Sequence, residues 1–233
     1  MRVFAVVVVA LSLLSTAAFA GTKATPKRVA VTTSAKPSEV TKKRDRSIGA
    51  PWSGRLQGPV RLKEGKRYHL RRPWRTYATR TTVDLVRQTI VDTLDDLPKA
   101  HVLAVGDLSQ ETGGWISEHA SHQSGRDIDI GLFYKNQPKE YPASFVRATA
   151  ATLDAAATFR LISNFAKTRT DDGGVQFIFL DQQLQNVLLA WAEKAGVSDK
   201  RIANVIAVMR HIPHHADHIH VRFKCRERDS SCR

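Results

Sequence analysis

Seven of the nine histidines in this chain fall into two groups, His119 with His122 and His211, His214, His215, His218 and His220. The first group opens the stretch HASHQSGRDID, which ends in two carboxylates, Asp127 and Asp129. Imidazole and carboxylate together suit a borderline divalent cation such as zinc. A catalytic zinc takes three protein ligands and leaves a place for water, whose proton it loosens and a neighbouring imidazole can then take. One histidine of the first group, one aspartate and one histidine of the second complete such a set. Spacing alone does not choose between His119 and His122, between Asp127 and Asp129, or between the parts His218 and His220 would play.

The elements that must carry these residues follow from periodicity. HIHVRF, residues 218–223, alternates as a strand does, so His218 and His220 share one face while Ile219 points to the core. DIDIGLF, residues 127–133, places Asp127 and Asp129 on one face opposite Ile128 and Ile130. Ser124 and Gly125 supply a tight turn that lets His122 fold back toward the start of that strand. On this reading Asp127 caps the turn or pairs with Arg126 or another base, and His119 stands in the cleft beside the metal. His211, His214 and His215 are loop residues of which at least one serves the site. His69 and His101 stand apart and take surface or core roles.

The remaining pattern describes one domain. Residues 81–97 carry apolar positions on one helical face, residues 101–108 form a strand with a turn-forming glycine, and residues 144–166 read as a long helix kinked near Thr158 and Phe159. VQFIFL, residues 175–180, is a buried strand, and residues 181–195 are a helix with Asp181 as its cap, ending before Gly196. Residues 48–62 have Gly and Pro at turn positions and wrap the domain as irregular chain and short strands. Helices and strands without a regular βαβ repeat make an α+β fold with a small antiparallel or mixed sheet flanked by helices.

Residues 1–20 have the layout of a cleaved secretory signal: a basic start, an apolar run shorter than a membrane span, and Ala18-Phe19-Ala20. After processing no stable transmembrane segment remains. Residues 21–47, rich in Lys, Arg, Thr, Ser and Pro, bury too little surface to fold alone and read as a flexible basic leader. The folded region then spans residues 48–233. A net charge of +14 attracts polyanions, and for a periplasmic or secreted protein an anionic cell-wall polymer is nearer than any specific nucleic acid. Cys225 and Cys232 flank six polar residues and in an oxidising compartment close a small loop that pins the tail.

At HASHQSGRDIDIG and HADHIH, with AVGDLSQETGGW upstream, the sequence resembles the penicillin-insensitive murein endopeptidases, relatives of the D-alanyl-D-alanine dipeptidases and lysostaphin-like zinc peptidases. The resemblance runs from about residue 48 to residue 223 and implies a hedgehog/DD-peptidase-like fold and one catalytic Zn2+ held by His122, Asp129 and His220. It implies that His218 activates water or stabilises the tetrahedral intermediate, and that His119 and His215 are further active-site histidines. The substrate it implies is peptidoglycan, cut mainly at D-alanyl to meso-diaminopimelyl cross-links. The basic leader and the pair of terminal cysteines depart from the better-known members. Arg126, Arg222 and Lys224 are the basic residues placed to meet substrate carboxylates.

Competing readings are weaker. No HExxH and no GxSxG occurs, which removes helix-borne zincin chemistry and leaves Ser121 and Ser124 without an elbow. A zinc D,D-carboxypeptidase or dipeptidase trimming stem peptides shares the same ligands and is the runner-up. Export and the lack of an HNH pattern count against a nuclease, and the full set of ligands with His218 counts against a non-catalytic wall-binding protein.

Overall fold

The computed structural model describes residues 44–233, and these form one α+β domain. The signal segment and most of the basic leader lie outside the described residues. The centre is a six-stranded sheet of β4 (Tyr68–Leu70), β6 (Leu103–Val105), β7 (Asp127–Gly131), β10 (His218–Phe223), β8 (Val175–Leu180) and β9 (Met209–His211), in that order across the sheet. Its inner pairs are antiparallel and its two outer pairs, β4 with β6 and β8 with β9, are parallel. The sheet is therefore mixed. β1 (Arg46–Ala50) pairs with β2 (Ser53–Gln57), and β3 (Val60–Arg61) with β5 (Tyr77–Ala78), as two small ribbons around it.

Alternation divides the sheet into two chemistries. In β7 and β10, Ile128, Ile130, Ile219, Val221 and Phe223 are fully buried on the core side, each worth roughly 1.5–3 kcal/mol of apolar burial. They meet Ile178 and Leu180 of β8 and the buried stripes of the helices in one continuous core. The opposite face carries Asp127, Asp129, His218, His220 and Arg222. Register locks these together: His220 stands across from Asp129 and from Phe179, and Arg222 across from Asp127 and Phe177. A slip of one residue would turn every one of them into the core.

Helix α1 (Arg80–Asp96) starts at Thr79, whose hydroxyl accepts the Thr82 N–H. Helix α3 (Gln182–Lys194) starts at Asp181, which accepts the Gln183 N–H, as the sequence predicts. The long helix expected over residues 144–166 is corrected. Helix α2 covers only Ala155–Lys167, capped by Asp154, and is continuous through Thr158 and Phe159. Upstream, loop bonds such as Ala148 N–H to the Ala216 carbonyl hold the chain irregular. Its apolar residues Tyr141, Ala148 and Leu153 pack into the core without helical geometry. Sequence reasoning also missed α4 (Asp199–Val208), a short helix behind Ser198 whose buried face is only Val205 and Val208, and β9 after it. Helix α2 packs against α1, α3 and α4.

Candidate metal centre

Asp129 sits on the rigid middle of the sheet, 2 % exposed, and four imidazole nitrogens surround its carboxylate. Nε2 of His122 and Nδ1 of His220 each lie 3.3 Å from Oδ1, and Nε2 of His218 lies 3.7 Å from it. Nδ1 of His119 is 3.7 Å from Oδ2. These distances are long for hydrogen bonds, and His122 Nε2 and Asp129 Oδ1 are buried without a hydrogen-bond partner among the described residues. Buried polar atoms left in this state are costly unless something else satisfies them. A cation between them would do so, and the donor set of imidazole and carboxylate fits zinc.

Each ring is held from behind. His122 adopts φ +66°, a conformation rare outside glycine. Its Nδ1–H donates to the Leu108 carbonyl at 2.9 Å and its backbone N–H to Asp127 Oδ2 at 3.0 Å, so its Nε2 turns to the cleft. Gly125, at φ +68°, makes the turn that returns the chain to β7. His218 Nδ1–H donates to Asp217 at 2.6 Å, and the ring stacks on Phe145 with centroids 5.0 Å apart. His119 Nε2–H donates to Asp107 at 2.9 Å. His215 Nδ1–H donates to the Pro213 carbonyl at 3.1 Å, and burial lowers its pKa, which keeps the ring neutral. Imidazoles with one nitrogen tied to a carboxylate or carbonyl and the other free are the usual state of metal-binding histidines.

Asp127 is the least exposed group of the site. Besides the His122 N–H it accepts from Arg222 Nε at 2.7 Å, and its Oδ1 lies 3.0 Å from His220 Nε2, within ion-pair range though off the line of a hydrogen bond. Burial would push this carboxyl up, but His220, His122 and Arg222 outweigh it and hold it far below the usual carboxylate range. Asp129 is depressed in the same way, with His122 and His218 countering burial. Burial alone would lower the His220 pKa, yet the two aspartates push it up to about 9. Two buried carboxylates thus demand positive charge at this point.

The cleft above the sheet holds about 470 Å³ and is walled by Trp52, Ser121, Phe179, Ile212, His214 and Arg222 around the histidines. It brings together His119, His122, Asp129, His215, His218 and His220 from two parts of the sequence. It does not include His211, whose Nδ1 accepts the Gln182 N–H at 3.0 Å. His69 pairs with Glu64, and His101 sits among Phe133, Tyr134 and Tyr141. Arg126 is also removed from consideration as a substrate contact: it is buried and donates to the Phe223 and Arg233 carbonyls. Asp107, Asp217 and Phe145 were missed in the sequence. Beside them Gly106 leaves no room for a side chain: a Cβ there would come within 2.8 Å of the Phe145 ring and 3.1 Å of Asp129 Cβ.

The profile of the family described as penicillin-insensitive murein endopeptidase matches residues 47–233. This chain belongs to that family. Among curated proteins, the penicillin-insensitive murein endopeptidase of Pectobacterium atrosepticum is 30% identical over 129 residues, covering 52% of this chain and 43% of that protein. The one from Yersinia enterocolitica is 30% identical over 129 residues, covering 52% and 44%. The matched region therefore spans less than half the length of these relatives. For a murein endopeptidase family member, the group His119, His122 and Asp129, with donor atoms within 4.8 Å of one another, is spaced to hold a metal ion. The family match also covers the paired Cys225 and Cys232, joined as a disulfide. No helix among the described residues is long and apolar enough to cross a membrane.

Proposed function

We propose that this domain is an exported zinc peptidase that hydrolyses D-alanyl to meso-diaminopimelyl cross-links of peptidoglycan, acting in the periplasm or outside the cell. The observation that carries this reading is the buried Asp129 carboxylate ringed by imidazoles, two of its facing atoms lacking partners. His122, Asp129 and His220 are the proposed ligands. His220 is preferred to His119 because it lies on a strand in register with Asp129, at shorter range, with Asp127 behind its other nitrogen. His119 lies on a loop, farther off, and already serves Asp107.

When bound, zinc supplies Lewis acidity, polarising the scissile carbonyl and making water easier to deprotonate. The chain supplies the rest. His218, with Nδ1–H fixed on Asp217, offers Nε2 as the base that takes the proton from water and returns it to the departing amine. His119 and His215 line the walls and orient the carbonyl and water. The basic leader over residues 21–47 is proposed to hold the enzyme near the anionic wall.

Incubating the protein with isolated peptidoglycan, with and without chelator, and weighing the products tests this reading. Cross-linked dimers should fall and monomers rise, and chelator should stop both. Release of terminal D-alanine alone would mark a carboxypeptidase, and no chelator-sensitive change would defeat both readings. His122→Ala should lose zinc, whereas His218→Ala should keep zinc and lose turnover.

A further inference from the structure

Arg222 continues the row of His218 and His220 on the cleft face of β10, one two-residue step of roughly 7 Å beyond His220. Among the described residues it is the arginine that lines the cleft. The others nearby are engaged elsewhere: Arg72 and Arg75 pair with Asp107 and Glu118, and Arg71 stacks on Phe145 and donates to the Ala143 carbonyl. Arg222 is held differently. Nε donates to Asp127 Oδ1 at 2.7 Å, with Nη2 only 3.4 Å from Oδ2. Its guanidinium carbon lies 5.8 Å from the Trp52 ring centroid and 5.3 Å from that of Phe179. Nη1 meets no hydrogen-bond partner among the described residues. The group is thus a planar fork fixed by a buried carboxylate and two aromatic rings, with an edge left for something else. Such a fork suits a carboxylate, with which it makes two parallel charge-assisted hydrogen bonds.

The proposed substrate contains that group at the right place. In a D-alanyl to diaminopimelyl cross-link the alanine has spent its carboxyl in the scissile bond. The nearest free carboxylate is on the carbon that bears the scissile nitrogen. We propose that Arg222, clasped between Trp52 and Phe179, is the subsite that binds this carboxylate and selects cross-links carrying it. The proposal rests on the peptidase reading above. It makes Arg222 a specificity residue for the leaving-group side of the bond, separate from the metal ligands.

Two synthetic cross-linked peptides test it, identical except that the carboxylate beside the scissile nitrogen is free in one and amidated in the other. The zinc-loaded wild type should prefer the free acid by about 10- to 100-fold in kcat/KM, the range of a charged hydrogen bond. Arg222→Gln should bring this ratio close to one, chiefly by raising KM for the free acid. Because Arg222→Gln also strips Asp127 of a partner, its zinc content is measured alongside. Arg222→Lys, which keeps the charge beside Asp127, should retain zinc and lose most of the preference. Trp52→Ala, which leaves the ion pair alone, should weaken the preference by about 2- to 5-fold. Equal cleavage of both peptides by wild type, or an unchanged preference in a zinc-loaded Arg222→Lys protein, overturns the subsite. If zinc-loaded wild type cleaves neither peptide nor isolated peptidoglycan, the peptidase reading falls and takes the subsite with it.

Discussion

Replacing Asp127 by Asn is the sharpest probe of how this centre is built. The side chain is fully buried and serves the His122 backbone N–H, Arg222 Nε and the far nitrogen of His220 at once. The first two are hydrogen-bond donors and the third is an ion-pair partner. Asparagine keeps the shape but offers one acceptor oxygen, so in either orientation its NH2 group faces one or more of these donors. With its carboxylate gone, His220 loses the group that orients it and raises its basicity. Loss of such an outer partner lowers metal affinity by about 10- to 100-fold. The lost charged contact to Arg222 adds roughly 1.5–3 kcal/mol of instability, a fall in Tm of about 3–12 °C for a domain of this size. Zinc affinity is read by competition with a chromophoric chelator at neutral pH, and stability by thermal unfolding of the metal-free protein. Asp107→Asn is the control, since Asp107 supports His119 and not His220. Zinc binding by Asp127→Asn within about threefold of wild type would refute the argument, a change too small for a lost outer partner. A tenfold or larger loss in Asp107→Asn alone would transfer the third ligand from His220 to His119.

Opening the Cys225–Cys232 loop with a double Ser variant should cost about 2.5 kcal/mol from loop entropy, a Tm lower by roughly 5–10 °C, with zinc content unaltered at room temperature. Arg226→Leu should be more damaging. Its buried guanidinium binds Asp229 through two nitrogens and also Asp45, at 2.6–3.0 Å, and stranding those carboxylates costs about 3–5 kcal/mol, measurable by urea unfolding. Asp45 provides a pH signature. Burial raises its pKa, but Arg226, the Arg80 N–H and Arg228 prevail and hold it below 3.8. Its stabilisation is then complete above the unfolded carboxylate pKa and is lost as pH falls through the folded value. Asp45→Asn should accordingly lower Tm at neutral pH, with the gap to wild type narrowing in strong acid; a gap that widens there would contradict the assignment.

The strand-borne half of the centre was legible because a period of two leaves no choice: once Ile219 and Val221 are assigned to the core, His218, His220 and Arg222 must share the other face. Helices with a capping residue and a full apolar stripe, such as α3, were readable for the same reason. Helix α4 was not, since its buried face is two valines and too short to display a period. The stretch before Asp154 misled because apolar residues in a packed loop mimic helical spacing. Asp107, Asp217 and Phe145 were hidden for a different reason. Each acts through space on a histidine brought to it by the sheet, and no local pattern announces such a partner.

The ends of the described domain meet. Gly49 of β1 donates to the Ser231 carbonyl and accepts from the Arg233 N–H, Ser47 N–H reaches Asp229, and Arg226 holds the Asp45 carbonyl. Residues 225–233 therefore brace β1, which β2 and the Ser124 carbonyl also hold. The proposed metal ligands and β10 all precede these residues. The cleft's Trp52 is carried on the turn between β1 and β2, where the Pro51 carbonyl accepts the Gln123 N–H. Removing residues 225–233 would therefore leave the proposed ligands present and strip β1, beside the aromatic wall, of one of its supports.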